Sequence, residues 1–191
     1  MLAEWQIWAH DGARITPEGC ARIIEQGLRF PVQDGTAGGR VDHSVRSSDI
    51  RWIARRDPEF AWLYELVTDR AGEANRNAFG FDFNYLPEMQ FTEYREGRKG
   101  HYNWHQDVFF TGDPDPKCAH RKLSVVLQLS DPETYEGGDL ELDVQSPPLR
   151  SDLRKQGSMI FFPSFIHHRV TPLTKGKRNS VVAWFEGPKW R

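Results

Sequence analysis

Cysteine is almost absent from this chain of 191 residues, which has only Cys20 and Cys118. Two cysteines so far apart exclude a disulfide framework and a cysteine-rich zinc site. No stretch is apolar over the length of a membrane span. The first residues have neither the basic start nor the continuous apolar core of a secretory signal. We therefore expect a protein without a membrane segment, located in the cytoplasm.

An excess of positive charge is also missing, since 25 basic residues face 27 acidic ones and the net charge is -2. The chain therefore lacks the excess of basic residues that is typical of nucleic-acid-binding proteins. Internal repeats and low-complexity tracts are absent. The length favours one domain over residues 1–191. Within it we expect a helical support region over 1–80 and a catalytic core over 85–191.

The first part of the chain has two helix patterns and one loop. Thr16 can cap a helix that opens with Pro17, and Asp57 with Pro58 predicts the start of a second helix. Residues 33–44 are rich in glycine and polar side chains, which indicates a loop. Helical spacing predicts two buried stripes: Cys20, Ile23, Ile24, Gly27 and Leu28 in the first helix, and Phe60, Leu63, Tyr64 and Val67 in the second.

Beyond residue 80 the chain changes to short runs of aromatic and β-branched residues, separated by glycine and proline. Such runs indicate strands, and we expect them at 89–95, 121–129, 139–144, 158–162 and 178–186. Their number and length fit a jelly roll, that is, a double-stranded β-helix. The predicted fold is mainly β, with the N-terminal helices packed on the outside of one sheet.

The stretch HYNWHQDVFF at 101–110 brings a histidine and a carboxylate to positions i and i+2. Side chains alternate faces along a strand, so His105 and Asp107 would project together, with Trp104 and Gln106 on the other side. A pair of this kind is expected about once by chance in a chain of this composition. Either the two residues are metal ligands, or they are a polar pair at a strand end.

A third ligand can come from His167-His168, which follow a predicted buried strand. Neighbouring residues on a strand face opposite ways, and we prefer His168 because it lies two residues before the apolar Val170. Two imidazoles and one carboxylate form the facial triad of non-haem Fe(II) oxygenases, which leaves positions open for co-substrate and oxygen. Zinc could use the same ligands in a tetrahedral site.

A 2-oxo acid co-substrate would also need a cation for its distal carboxylate, and Arg178 is a candidate. Arginine binds carboxylates bidentately, and Ser180 would share its strand face and could add a hydrogen bond. Alternatively, Arg178 is a solvated charge after a lysine-rich turn. We expect Lys175 and Lys177 to be solvated charges of that kind.

With these residues in place, the chain resembles the 2-oxoglutarate/Fe(II)-dependent dioxygenases, and within them the prolyl 4-hydroxylase group. The resemblance covers about residue 85 to the C-terminus and is weaker over the N-terminal helices. It is carried by four motifs in the family's order: W-H-Q-D at 104–107, L-S-D-P-E-T-Y-E-G-G-D-L at 129–140, H-R-V-T-P at 168–172 and R-N-S at 178–180.

The resemblance implies that His105, Asp107 and His168 bind iron, and that Arg178 and Ser180 hold the C5 carboxylate of 2-oxoglutarate. It implies catalysis through the metal, with O2 as oxidant and ascorbate (vitamin C) as the reductant. Succinate and CO2 would be released as the substrate is hydroxylated.

The resemblance also implies roles for three further residues. Tyr94 matches a tyrosine near the co-substrate, and Arg121 and Trp184 match positions that contact the peptide. Each has a structural alternative: packing for Tyr94 and Trp184, and a strand-end charge for Arg121. Gln128 departs from the pattern, since relatives commonly have tyrosine there.

The substrate implied by the resemblance is a prolyl residue in a peptide or protein. The alternatives are the same chemistry on a free amino acid or another small molecule, and a non-catalytic jelly-roll binding module. We expect loops 31–50 and 108–120 to decide the substrate, because such loops surround active sites and act as lids.

Overall fold

The computed structural model describes residues 8–12, 14–108 and 120–190. Most of the predicted loop 108–120, including Cys118, lies outside the described residues. None of the helices in these ranges is long and apolar enough to cross a membrane.

Helix α1 (Pro17–Gly27) begins where the sequence predicts. The Thr16 hydroxyl caps it by accepting a hydrogen bond from the Gly19 N–H at 3.2 Å. Its predicted buried stripe is confirmed at Cys20, Ile23 and Gly27 but is wrong at Leu28, which is 41% exposed. Leu28 is the C-cap, one residue beyond the end of the helix.

Helix α2 (Ala61–Ala74) begins later than the predicted start at Asp57 and Pro58. The Asp57 carboxylate accepts a hydrogen bond from the Glu59 N–H at 2.9 Å, which holds these residues in a turn. The predicted stripe from Phe60 to Val67 is buried. A π-helical turn, Asn75–Phe79, follows α2, and the short α3 spans Arg150–Arg154.

The strands form two antiparallel sheets. In chain order they are β1 (Ala9–Asp11), β2 (Gln33–Asp34), β3 (Arg46–Ser47), β4 (Asp49–Ala54), β5 (Glu88–Arg95), β6 (His101–His105), β7 (His120–Gln128), β8 (Tyr135–Gly137), β9 (Leu140–Leu142), β10 (Met159–Pro163), β11 (His168–Val170) and β12 (Leu173–Gly187). Within the described ranges, the major sheet has the order β1-β10-β7-β12-β5-β4-β2, with β8 paired to β12. The minor sheet has the order β3-β6-β11-β9.

All five predicted strand runs contain a strand, but β1 to β4 and the short β8 were missed. In β4, polar and apolar residues alternate only from Asp49 to Trp52, and the two charged residues, Asp49 and Arg51, are buried on the outer face together with Ile53. An alternation this short, with charges on the face that is buried, does not predict a strand. The N-terminal third therefore adds strands to both sheets as well as the helices. The division into a support region and a core stays a prediction.

The hydrophobic core lies on both sides of the major sheet. Helices α1 and α2 pack on its outer face, where Ile23 and Leu63 join Phe91, Leu127 and Val181. A smaller cluster fills the space between the two sheets, with Val126, Leu140, Ile160 and Phe162 among its members. The helices thus cover the outside of one sheet of a double-stranded β-helix, as predicted.

Candidate active site

A cavity of about 210 Å³ lies between the two sheets and is lined by residues of both. The residues that the sequence singled out are spread over more than ninety positions of the chain. All eight of them line this one cavity: Tyr94, His105, Asp107, Arg121, His168, Arg178, Ser180 and Trp184.

His105, Asp107 and His168 form a compact cluster whose potential ligand atoms all lie within 4.8 Å of one another. His105 Nε2 is 3.7 Å from Asp107 Oδ1, and His168 Nε2 is 3.5 Å from Asp107 Oδ2. His167, the alternative third ligand, is exposed. Two imidazoles and one carboxylate on one side of a point fit a facial metal triad.

Both histidines are oriented by backbone carbonyls two residues earlier. His105 Nδ1 lies 2.7 Å from the Asn103 carbonyl oxygen, and His168 Nδ1 lies 2.9 Å from that of Ile166. A proton on each Nδ1 leaves each Nε2 unprotonated and free to bind a metal. Burial, together with the neighbouring His168, lowers the pKa of His105 to about 4, so its ring is neutral at neutral pH.

A β-bulge brings His105 to the cavity. His168 pairs with His105 and Val170 pairs with Tyr102, so β6 advances by three residues while β11 advances by two. Residues three apart on a regular strand face opposite ways, yet the rings of Tyr102 and His105 stack with centroids 3.5 Å apart.

Asp107 lies beyond the end of β6, so the expectation that it shares a strand face with His105 is wrong. Its N–H instead donates to the Ser164 carbonyl at 2.8 Å, which places the carboxylate beside the histidines. Trp104 lies outside the cavity lining, as expected, but Gln106 lines the cavity, where its Nε2 donates to the Phe165 carbonyl at 2.6 Å.

The Asp107 carboxylate is buried and accepts a hydrogen bond from Ser124 Oγ at 2.7 Å. Ser124 Oγ in turn lies 3.0 Å from Ser164 Oγ. Burial opposes ionisation, but His168, His105, Arg121 and the Ser124 hydrogen bond together lower the pKa of Asp107. The carboxylate is therefore anionic and held in one orientation.

Arg178 lies on the cavity face of β12 and is only 1% exposed. Its Nη2 donates to Gln128 Oε1 at 2.9 Å, while its buried Nη1 has no hydrogen-bond partner. No carboxylate of the described ranges forms an ion pair with it. Lys175 and Lys177 are exposed, as expected. Because an uncompensated buried cation is costly, the Arg178 site fits an anionic ligand.

A second bulge directs Arg121 into the cavity. Leu123 pairs with Phe185 and Arg121 pairs with Glu186, so Lys122 is the extra residue of β7. Without it, Arg121 would share the outer face with Leu123. The Arg121 guanidinium instead lies over the Trp184 ring, 4.0 Å from its centroid.

Part of the cavity wall comes from the N-terminal third, where the sequence predicted loop 31–50 beside the active site but no individual residue. Arg46 of β3 and Trp52 of β4 line the cavity, as do Thr36, Gly38 and Gly39 of the glycine-rich loop. Arg46 is charged but buried, and a buried charge indicates a functional site. Its burial cannot be predicted from the sequence, because it depends on strands that the sequence did not predict.

The comparisons with known proteins agree with this geometry. The sequence profile of the 2OG-Fe(II) oxygenase superfamily matches residues 89–186, about half of the chain and all eight site residues. The chain belongs to this superfamily. A PKHD-type hydroxylase of Pseudoalteromonas atlantica is 35% identical over 153 residues, which cover 78% of this chain and 66% of that protein. The chain spans 45% to 66% of the length of three such curated relatives.

Solved structures of two prolyl hydroxylases share the fold. A prolyl-4-hydroxylase of Pseudomonas putida has a TM-score of 0.72 at 20% identity, covering 98% of this chain and 96% of that one. The prolyl hydroxylase of Trichoplax adhaerens, solved with a peptide fragment of the hypoxia inducible factor oxygen degradation domain, has a TM-score of 0.74 at 15% identity, covering 95% and 84%. The predicted jelly-roll fold is thus confirmed.

Proposed function

We propose that this superfamily member is an Fe(II)- and 2-oxoglutarate-dependent dioxygenase that hydroxylates a prolyl residue of a peptide or protein. Succinate and CO2 are the co-products, O2 is the oxidant, and ascorbate serves as reductant. The observation that carries this proposal is one cavity that holds both a possible metal triad and a buried arginine without an acidic partner.

His105, Asp107 and His168 are the proposed iron ligands. Iron with this ligand set supplies oxygen activation, coupled to oxidative decarboxylation of the 2-oxo acid. The chain's own residues prepare the site. The backbone carbonyls behind the two Nδ1 atoms aim each Nε2 inward. Ser124 holds the one anionic ligand in place.

Arg178 is the proposed anchor for the C5 carboxylate of 2-oxoglutarate. Its unpartnered Nη1 can donate to a carboxylate, while Gln128 holds the other nitrogen. Ser180 lies two residues on along the same face of β12, where its hydroxyl can add a second hydrogen bond. Tyr94 of the neighbouring strand pairs with Arg178 and lines the same cavity.

Arg121 and Trp184 are the proposed substrate contacts, because both line the cavity and neither is required to hold iron or 2-oxoglutarate. The Trp184 ring offers an apolar face for a proline ring, and Arg121 offers donors for peptide carbonyls. The names of the relatives support a peptide substrate, since they include prolyl hydroxylases and one was solved with a peptide.

Mass spectrometry of a peptide library incubated with the protein, Fe(II), ascorbate and 2-oxoglutarate tests this function. We expect proline-containing peptides to gain the mass of one oxygen atom, with equimolar succinate. Arg121→Ala should lower this coupled turnover while largely sparing the slow decarboxylation without substrate.

Turnover of a free amino acid but of no peptide would refute the prolyl substrate and leave the dioxygenase chemistry. The absence of succinate under every condition would favour a non-catalytic binding module.

A further inference from the structure

Positively charged side chains outnumber negatively charged ones in the lining of the cavity. Among its described lining residues, three are arginines, Arg46, Arg121 and Arg178, and one is a carboxylate, Asp107. Arg46 and Arg178 are buried, and Arg121 is half-buried. Because buried charges of one sign are costly without a compensating group, the excess points to anions that occupy the cavity.

Arg46 is fixed at the wall of the cavity by three contacts and is only 7% exposed. Its Nε donates to Ser48 Oγ at 2.9 Å, and its Nη1 donates to the Thr36 carbonyl at 3.1 Å. The guanidinium lies 4.5 Å from the centroid of the Tyr102 ring. All these partners are neutral, so they hold Arg46 in place and leave its charge unbalanced.

Arg121 is held in a similar way, by a neutral ring. Its guanidinium lies over Trp184. Glu186, its register partner across β7 and β12, attracts it electrostatically, but the two form no ion pair within the described ranges and Glu186 does not line the cavity. Asp107 attracts Arg121 electrostatically, but that carboxylate is already shared between two histidines.

The bound groups of the proposed function do not remove this excess. Iron brings two positive charges and 2-oxoglutarate brings two negative ones, so they cancel. Arg178 and Asp107 also cancel. Among the lining residues, the positive charges of Arg46 and Arg121 remain.

We propose that the substrate carries a carboxylate that binds to Arg46 and Arg121. This inference rests on the proposed function, because it assigns Arg178 to 2-oxoglutarate. The carboxylate comes either from an acidic side chain beside the target proline or from a free C-terminus. Two arginines of fixed orientation suit a carboxylate, because the guanidinium fork matches its two oxygens.

Binding can be measured without turnover on protein loaded with Zn(II) and saturated with 2-oxoglutarate, so that Arg178 is occupied. The probes are two pairs of proline-containing peptides: one differs by Asp against Asn next to proline, the other by a C-terminal carboxylate against an amide. Indole N–H resonances of Trp52 and Trp184, which line the cavity, report binding by NMR. In at least one pair, we expect the carboxylate peptide to bind about tenfold more tightly.

Arg46→Gln and Arg121→Gln should each bring that ratio close to one. The matched control is Arg22→Gln, because Arg22 is exposed on α1, away from the cavity. Equal binding within both pairs, including no binding by any peptide, would overturn the proposal. A preference that survives in both cavity variants would overturn it as well. Failure of the protein to bind 2-oxoglutarate in the loading step counts instead against the proposed function.

Discussion

Arg178 donates a hydrogen bond from Nη2 to Gln128 Oε1 at 2.9 Å, and both side chains are only 1% exposed. Gln128 occupies the position where the sequence departs from the tyrosine common among prolyl 4-hydroxylases. A neutral amide fixes the arginine without neutralising it. The guanidinium therefore keeps its full charge for a ligand.

The first prediction follows from the neutrality of Gln128. Gln128→Glu places a carboxylate against Arg178, and we expect the affinity for 2-oxoglutarate to fall by about a hundredfold. Gln128→Leu removes the hydrogen bond but leaves the charge, so its loss should be about tenfold. Calorimetric titration of 2-oxoglutarate into metal-loaded protein checks this order. Wild-type affinity in the Glu variant would contradict the role of Arg178.

The second prediction concerns the orientation of Asp107. Ser124→Ala removes the hydroxyl that donates to its carboxylate at 2.7 Å. Loss of a side chain that hydrogen-bonds a metal ligand typically lowers the metal affinity by about tenfold or more. We expect a loss of that size in a Co(II) or Fe(II) titration. Ser164→Ala is the matched control, because its hydroxyl contacts Ser124 and not the carboxylate, and it should have the smaller effect.

The third prediction concerns the stability of the core between the helices and the outer face of the major sheet. The Tyr64 hydroxyl donates to the Ile53 carbonyl at 2.5 Å and accepts from the Met89 N–H at 3.0 Å, which ties α2 to β4 and β5. Tyr64→Phe leaves both buried groups unpaired, which should lower the free energy of unfolding by about 1–3 kcal/mol in denaturant. Tyr85→Phe is the control, because Tyr85 is half exposed, and it should change stability little.

Tyr64 should also make the stability of the folded protein depend on pH. Burial raises the pKa of Tyr64 to about 12 from an ordinary value of 10.0. The folded state keeps it protonated over this interval while the unfolded state ionises, so stability should fall as the pH rises from 10 to 12. The fall should be smaller in Tyr64→Phe.

The fourth prediction concerns Cys20, which is fully buried in α1. Burial raises the pKa of its thiol to about 11. The thiolate is the reactive species, and at pH 8 about one thiol in a thousand is ionised. In a Cys118→Ser variant, iodoacetamide should therefore not modify the native protein but should modify it fully in denaturant. Rapid native alkylation would show that α1 opens readily.

The sequence predicted which residues meet in the cavity better than it predicted how they are brought together. Residue types and order pointed to His105, Asp107 and Arg178, which line one cavity, and their roles stay a prediction. The geometry behind His105 and Arg121 depends on bulges, and a bulge is set by the pairing of two strands. Simple alternation along one strand could not reveal it.

The structure of the N-terminal third was predicted less well, for a related reason. Arg46 lies in the stretch 31–50 that was predicted as a loop, and its pairing with Tyr102 across β3 and β6 brings it to the cavity. The helix predictions succeeded better, since the Thr16 cap and the stripes of α1 and α2 depend on neighbours in sequence.

The central claim is that one cavity holds both the metal and 2-oxoglutarate, and a single set of anaerobic calorimetric titrations tests it most directly. 2-Oxoglutarate is titrated into wild type, Asp107→Ala, Arg178→Ala and Lys177→Ala, each incubated with Fe(II). We expect wild type and Lys177→Ala to bind alike, and Arg178→Ala to bind about a hundredfold more weakly while retaining iron. Asp107→Ala should lose iron and, with it, tight binding of 2-oxoglutarate. Equal affinity in all four proteins would contradict the assignment of both sites.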